Sequence, residues 1–246
     1  MPSESEHRTT EGWAKPVRAL EVTGVEEGGP AINVAGKRPT SPIQGFGCMW
    51  QKTYRVRLVG AETTPRELTA IWKERFGSFW PAKTRFFAPL SGIAPGEVAA
   101  LNMSMPGGLK LSTGVLVMYA DEESFTLMTP QGHMFAGWIT FSTFEDADGV
   151  TCAQAQVLMR ASDPLYEIGM TMGGHGQEDR HWEHTLRELA RHVGVEGEIS
   201  TESVCVDKRR QWSNMANVWQ NAGIRSGIHM TGAPIRAMRK PFRRGG

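Results

Sequence analysis

The stretch Ser124–Thr143 reads SFTLMTPQGHMFAGWITFST, and the rest of the sequence extends the pattern that it sets. Two segments rich in β-branched and aromatic residues flank the turn-forming triplet Pro130-Gln131-Gly132. Segments of this composition predict strands, and so short a connection places neighbouring strands antiparallel. The stretch therefore predicts an antiparallel pair and excludes a parallel crossover.

The same pattern continues on both sides of this pair. Residues 84–161 hold six strand-like segments separated by turn-forming residues, which predicts an antiparallel meander. An earlier segment, 50–58, alternates with a period of two and places Trp50, Tyr54 and Val56 on one side of a further half-buried strand.

Two helices are predicted around the meander. Thr64 and Glu67 have the spacing of a capping box, and Pro65 suits the first helical position, so a helix begins there and continues to Phe76. The second helix closes the meander, with apolar residues at helical spacing at Trp182, Leu186, Leu189 and Val193.

The order of strand, short helix, meander and closing helix resembles the START-like superfamily, also called SRPBCC, which includes polyketide-cyclase-like and lipid-transfer domains. Two stretches carry the resemblance: Ser124–Thr143, and Val157–Glu167 with the sequence VLMRASDPLYE. The resemblance covers residues 46–196. It implies an α+β helix-grip fold, in which a curved antiparallel β-sheet wraps around a long C-terminal helix with a cavity between them.

The chain divides into three predicted parts. Residues 1–44 are rich in glycine and proline without apolar periodicity and are expected to be a disordered leader. Residues 45–198 form the helix-grip domain. Residues 199–246 form a basic C-terminal tail with a possible short helix, since Lys208–Gly246 holds nine of the 27 basic residues and none of the 26 acidic ones.

Composition excludes several classes of protein. No apolar run approaches the roughly 20 residues that span a bilayer, and the N-terminus has no secretory signal pattern. Three widely spaced cysteines do not make a disulfide framework, so a cytoplasmic location is expected. Phosphate-loop and nucleophile-elbow motifs are absent, and we predict no cofactor. His181 and His184 are three residues apart and share one face of a helix. No third ligand has a comparable position, and we predict no metal site.

A set of apolar side chains, together with one turn histidine, is predicted to line the cavity. Methionine-rich surfaces adapt to varied apolar ligands, and Met118, Met128, Trp138 and Met159 are expected on the concave face. The alternative for each of them is simple packing against the closing helix. The candidate ligand-binding residues are Trp72, Phe76, Phe87, Met118, Met128, His133, Trp138 and Met159.

Three functions stay open on the sequence. The leading hypothesis is binding of a small hydrophobic ligand, either a lipid or a polyketide-like aromatic. The second is a cyclase- or dehydratase-type enzyme that uses His133, Tyr119 or Tyr166 as acid or base in the same cavity.

The third hypothesis is an interaction module whose basic tail binds nucleic acid or an anionic membrane. In that tail, residues 207–221 are expected to form a helix with an apolar stripe, which could also dock on the core or form a homodimer contact. The stripe consists of Trp212, Met215, Ala216 and Trp219.

Overall fold

The computed structural model describes residues 12–29, 31–104 and 110–231. Its centre is one sheet of eight strands in which every neighbouring pair is antiparallel. In space the strands follow the order β2-β3-β4-β5-β6-β7-β1-β8. Their bounds are β1 Met49–Arg57, β2 Thr84–Phe87, β3 Val98–Ser104, β4 Lys110–Ala120, β5 Ser124–Met128, β6 Phe135–Glu145, β7 Thr151–Ala161 and β8 Glu198–Asp207.

In the described ranges, the α-helices beside the sheet are α1 Pro65–Glu74, α2 Pro164–Gly169, α3 His175–His192 and α4 Ala222–Thr231. Segments of 3₁₀ helix lie at Pro42–Gln44, Phe76–Phe79 and Trp212–Gln220. A π turn, Met170–Gly174, joins α2 to α3. Within the described ranges, no helix combines the length and the apolar character needed to cross a membrane.

Local sequence explains where the helices begin. Thr64 caps α1 by accepting the N–H of Glu67, and the Glu67 carboxylate accepts the N–H of Thr64 in return. Asp163 caps α2 by accepting the N–H groups of Leu165 and Tyr166. The helix start predicted at Thr64 is therefore present.

The sheet wraps around α3, and one apolar core fills the space between them. Each of the strands β1–β7 contributes side chains from one of its faces, while α1 and α3 supply side chains such as Leu68, Trp72, Leu186 and Leu189. The predicted α+β helix-grip fold, with an antiparallel sheet around a long helix, is confirmed.

The leader differs from its prediction. Residues 12–29 and 31–44 pack against the outer face of the sheet, where Leu20 and Val34 are buried against Val98 and Leu116. The expectation of disorder is wrong for these residues, and residues 1–11 and 30 lie outside the described part of the chain. The apolar residues of the leader are isolated and show no periodicity, so their sequence predicts no helix or strand. They nevertheless pack on the outer face of the sheet.

The predicted boundary at residue 198 does not coincide with the end of the sheet. Strand β8 begins at Glu198 and pairs with β1 along its whole length, so the first part of the predicted tail belongs to the sheet. Its sequence, EISTESVCVD, is mostly polar because β8 is an edge strand with exposed side chains. The other predicted boundaries stay predictions.

Candidate functional site: the aromatic interior and its buried charges

Three of the eight candidate binding residues lie in the interior between sheet and helix. Trp72, Phe76 and Met159 belong to the core on the concave face and are almost completely buried. These are the candidates that the fold brings together, as the sequence predicts.

Three candidates lie on the opposite, outer face. Side chains alternate along a strand, and Leu127 and Ile139 pack on the core, so Met128 and Trp138 point away from it. The expected concave position of Met128 and Trp138 is therefore wrong.

The same correction applies to Phe87, whereas Met118 is absent from the core without being placed on the outer face. Met118 follows the core residue Val117 at an irregularity in the β4–β5 pairing and is not a core member. Phe87 follows the core residue Phe86 and is buried under Gly28 and Gly29 of the leader. Both faces of this sheet are covered by apolar residues, so hydrophobicity alone does not identify the concave face.

Six aromatic rings fill the interior. Phe76 packs edge-on against Phe125 and Phe141 with ring centroids 5.2 and 4.9 Å away. Trp72 lies 5.1 Å from Phe141 on the α1 side, and Trp182 lies 5.4 Å from it on the α3 side. Trp80 completes the group, 5.3 Å from Phe76. We call these six residues, Trp72, Phe76, Trp80, Phe125, Phe141 and Trp182, the aromatic interior.

Polar atoms inside this apolar space have no partner. The indole N–H groups of Trp72 and Trp80 are buried and meet no acceptor in the described chain, and neither does the hydroxyl of Thr113 on the core side of β4. A buried donor without an acceptor costs about 1–3 kcal/mol. The aromatic interior thus contains unused hydrogen-bonding capacity.

The space in which an empty cavity is predicted is filled by the aromatic interior. Cavities of about 200 and 240 Å³ lie elsewhere, outside the aromatic interior. The first is lined by polar side chains of the leader and tail, including Thr40, Gln44, Asn214 and Asn217. The sequence expectation of open room between sheet and helix is corrected accordingly, because the aromatic rings occupy it.

A charge cluster lies one helical turn along α3 from Trp182. The Lys52 side chain is only 1 % exposed, and its ammonium lies 2.9 Å from Glu178 Oε2 and 2.7 Å from Asp179 Oδ1. The Tyr54 hydroxyl also donates to Asp179 Oδ1, at 2.7 Å. We call Lys52, Tyr54, Glu178 and Asp179 the charge cluster.

One ammonium faces two carboxyl groups in this cluster, so the charges balance when one carboxyl keeps its proton. Burial, which outweighs the attraction of Lys52, raises the pKa of Glu178 to about 7. Burial also raises the pKa of Tyr54, so its hydroxyl stays protonated. Glu178 is the group that titrates near neutral pH.

The sequence of β1 contains a signal for this cluster. Lys52 has the same parity as Trp50, Tyr54 and Val56, and therefore lies on the buried side of β1. A lysine in the middle of an apolar strand face needs a buried carboxylate opposite it.

We expect Glu178→Gln to remove a pH dependence of stability. Since the folded pKa is raised from 4.5 to about 7, Glu178 stabilises the fold at low pH and that stabilisation is lost as pH rises through about 7. The wild type should lose about 3 kcal/mol relative to Glu178→Gln between pH 4 and pH 8, measured by urea unfolding. The matched control is Glu196→Gln, an exposed carboxyl, which should follow the wild type. Parallel pH profiles for Glu178→Gln and the wild type would contradict the protonated state.

The helix that covers both features is kinked. At Met172 and Gly173 the backbone leaves helical geometry, and Gly173 has a φ of +114°, which a residue with a side chain rarely adopts. His175, at the start of α3, packs its ring 4.7 Å from Trp50, and its Nδ1 is buried without a partner. π turns inside helices are frequent at functional sites.

The three proposed acid–base residues are engaged in other contacts. His133 is buried in the turn after β5, its Nδ1 accepts the N–H of Phe135, and burial lowers its pKa to about 4. The Tyr166 hydroxyl accepts the N–H of Gly223. Tyr119 donates to Asp121 and packs against Trp13 at the other end of β5. The structure places Tyr119 apart from the other two.

One of the two α3 histidines with metal-ligand spacing, His181, lies among aromatic rings. His181 is buried against Trp80 and Trp182, and this burial lowers its pKa to about 4. Among the residues that the structure describes, no group of three His, Cys, Asp or Glu side chains could hold a metal ion.

Residues 208–222 cross the end of the sheet as a strap. Asn214 donates to the carbonyls of Ile43 and Gly45, and Asn217 donates to those of Gln44 and Ser162. Asn221 donates to Asp163 and so ties the strap to the start of α2. The strap therefore docks on the leader and on the kinked helix.

Comparisons with known proteins find similar structures but no family assignment. No family model matches the chain, and no curated protein does. A START superfamily protein from Mycobacterium smegmatis matches at 19% identity over 58% of this chain and 99% of its own, with a TM-score of 0.39. The major latex-like protein 151 from Panax ginseng matches at 11% identity over 61% and 100%, with a TM-score of 0.36.

Ara h 8.0201 is a third similar structure, at 14% identity over 59% of this chain and 97% of its own, with a TM-score of 0.40. At these identities the likeness concerns the fold alone. The solved structures to which this chain is similar thus include a START superfamily protein, the group whose order of elements its sequence resembles.

Proposed function

We propose that the protein binds a small hydrophobic ligand that carries a hydrogen-bond acceptor, in the space now filled by the aromatic interior. The supporting observation is the pair of buried, unpartnered indole N–H groups of Trp72 and Trp80. An acceptor on the ligand, such as a carbonyl oxygen, satisfies these donors, while the aromatic rings contact its apolar body.

Entry of a ligand requires the rings to separate, because they fill the interior. The π turn between α2 and α3 is the place where the covering helix is least regular, with non-helical geometry at Met172 and Gly173. In this proposal, α3 moves relative to α2 at this turn and opens the space beside Trp182. The hydrogen bond to the indole groups then offsets part of the cost of separating the rings.

A matched pair of probes tests the acceptor. 2-Acetylnaphthalene and 2-ethylnaphthalene have nearly the same shape, but only the ketone has an acceptor. The wild type should bind the ketone about tenfold more tightly in calorimetric titration, the upper end for one hydrogen bond. The double variant Trp72→Phe/Trp80→Phe keeps aromatic rings but lacks both donors, and it should lose this preference.

The control is Trp182→Phe. Trp182 belongs to the same interior, but its indole nitrogen is not among the buried donors without a partner. This variant should keep the preference for the ketone. The proposal fails if the folded wild type binds neither probe, or if the double variant still prefers the ketone as strongly as the wild type does.

A further inference from the structure

The strap packs on the protein through polar side chains and exposes apolar ones, which is the reverse of an ordinary surface helix. Its 3₁₀ segment, Trp212–Gln220, repeats every three residues, and the polar residues Asn214, Asn217 and Gln220 occupy one such row. These amide side chains face the protein, where each makes a hydrogen bond. The polar row therefore docks and the apolar residues remain outside.

The outward residues are large and exposed. Trp212 is 66 % and Trp219 is 81 % exposed, and Met215 between them is about half exposed. Of the alternatives for this stripe, docking on the core is contradicted, since the amides are the docking surface. Four hydrogen bonds from Asn214 and Asn217 hold this segment in the orientation that exposes both tryptophans to solvent.

Helix α2 and the π turn after it present the same character beside the strap. Leu165 and Ile168 of α2 and Met172 of the π turn are exposed, while Tyr166 and Glu167 face inward. The Arg210–Glu167 ion pair at 3.0 Å holds the strap and α2 together. We call the six exposed residues, Leu165, Ile168, Met172, Trp212, Met215 and Trp219, the apolar surface.

The charges next to the apolar surface are mainly positive. Lys208, Arg209 and Arg210 precede Trp212 with only Gln211 between, and Asp207 and Glu167 pair with Arg209 and Arg210. The described segment from 208 to 231 contains no acidic residue. An occupant of this surface must be apolar and bordered by negative charge.

We propose that the apolar surface docks on an anionic lipid membrane. Exposed tryptophans suit the boundary between headgroups and acyl chains, aliphatic side chains insert beside them, and basic residues attract acidic headgroups. A nucleic acid fits less well, because Leu165, Ile168 and Met172 offer no stacking surface. A second copy fits less well, because two such surfaces face to face would bring like charges together.

Vesicle sedimentation with the full chain tests the proposal. The probes are phosphatidylcholine vesicles with and without about 30% phosphatidylserine. The wild type should sediment with the anionic vesicles, less so at high salt, and only weakly with the neutral ones. Trp212→Ser/Trp219→Ser should reduce the partition coefficient at least tenfold, because it removes two interfacial anchors.

The matched control is Leu90→Ser/Val59→Ser, which removes two exposed apolar side chains far from the strap. This variant should bind as the wild type does. The proposal is overturned if the wild type does not sediment with anionic vesicles, or if the tryptophan variant binds equally well. It is also overturned if sedimentation velocity shows a dimer that the tryptophan variant abolishes, which would assign the surface to a second copy.

Discussion

Lys52→Met is expected to lower the free energy of unfolding by about 3–5 kcal/mol. The ammonium is buried and faces Glu178 and Asp179 within ion-pair distance, so its removal leaves two carboxyl groups without a counter-charge. Breaking one side of a buried pair costs more than never having built it, because the remaining charge stays desolvated. Urea or thermal unfolding at pH 8 measures the loss, since more of Glu178 is ionised there.

Two further variants make this prediction specific. Lys52→Met/Glu178→Gln/Asp179→Asn removes all three charges and should regain most of the lost stability, because no unpaired charge is left. Arg55→Met removes an exposed cation from the outer side of the same strand and should cost about 0.5 kcal/mol or less. A loss below about 1 kcal/mol for Lys52→Met would contradict a tightly coupled cluster.

The order of the elements could be predicted from the sequence, because short connections between apolar segments leave few arrangements. The turn at Pro130-Gln131-Gly132 and the cap at Thr64 each specify local geometry. An antiparallel meander followed by a long helix has one efficient way to bury its apolar faces, which is to wrap the sheet around the helix.

The assignment of side chains to faces could not be predicted in the same way. On β6, Trp138 and Ile139 are both apolar, but only Ile139 packs on the core. Alternation identifies the buried face when the other face is polar, and the leader makes both faces of this sheet partly apolar. Lys52 is the opposite case. Its alternation with Tyr54 and Val56 indicates a buried position, whereas its charge alone indicates an exposed one.

In the strap, the type of helix decides which residues lie on the same face. Read with a period of 3.6, residues 212–219 give an apolar stripe that would dock on a core. In the structure the segment is a 3₁₀ helix with a period of three, and the row that docks consists of amides. The periodicity of polar residues, not of apolar ones, carried the information here.

Gly132→Ala is expected to destabilise the protein by about 3–5 kcal/mol by displacing the strap. Gly132 has a φ of +89°, and a Cβ atom there would lie 2.1 Å from the backbone oxygen of Gln220. The carbonyl of Gly132 also accepts the N–H of Ala222 at 2.9 Å, so the strap cannot move away without losing that bond. The cost of the left-handed backbone conformation and the cost of the clash with Gln220 therefore add at this position.

Gly60→Ala separates these two contributions. Gly60 has a nearly equal φ of +84°, but a Cβ atom there meets nothing within 4 Å. This control should lose only the cost of the left-handed conformation, about 1–2 kcal/mol. The excess loss in Gly132→Ala measures how firmly residues 208–222 are held, and limited proteolysis should cut the strap faster in that variant alone. Equal losses in the two variants, with unchanged proteolysis, would mean that the strap yields freely, and a freely yielding strap would not hold Trp212 and Trp219 in a fixed outward position.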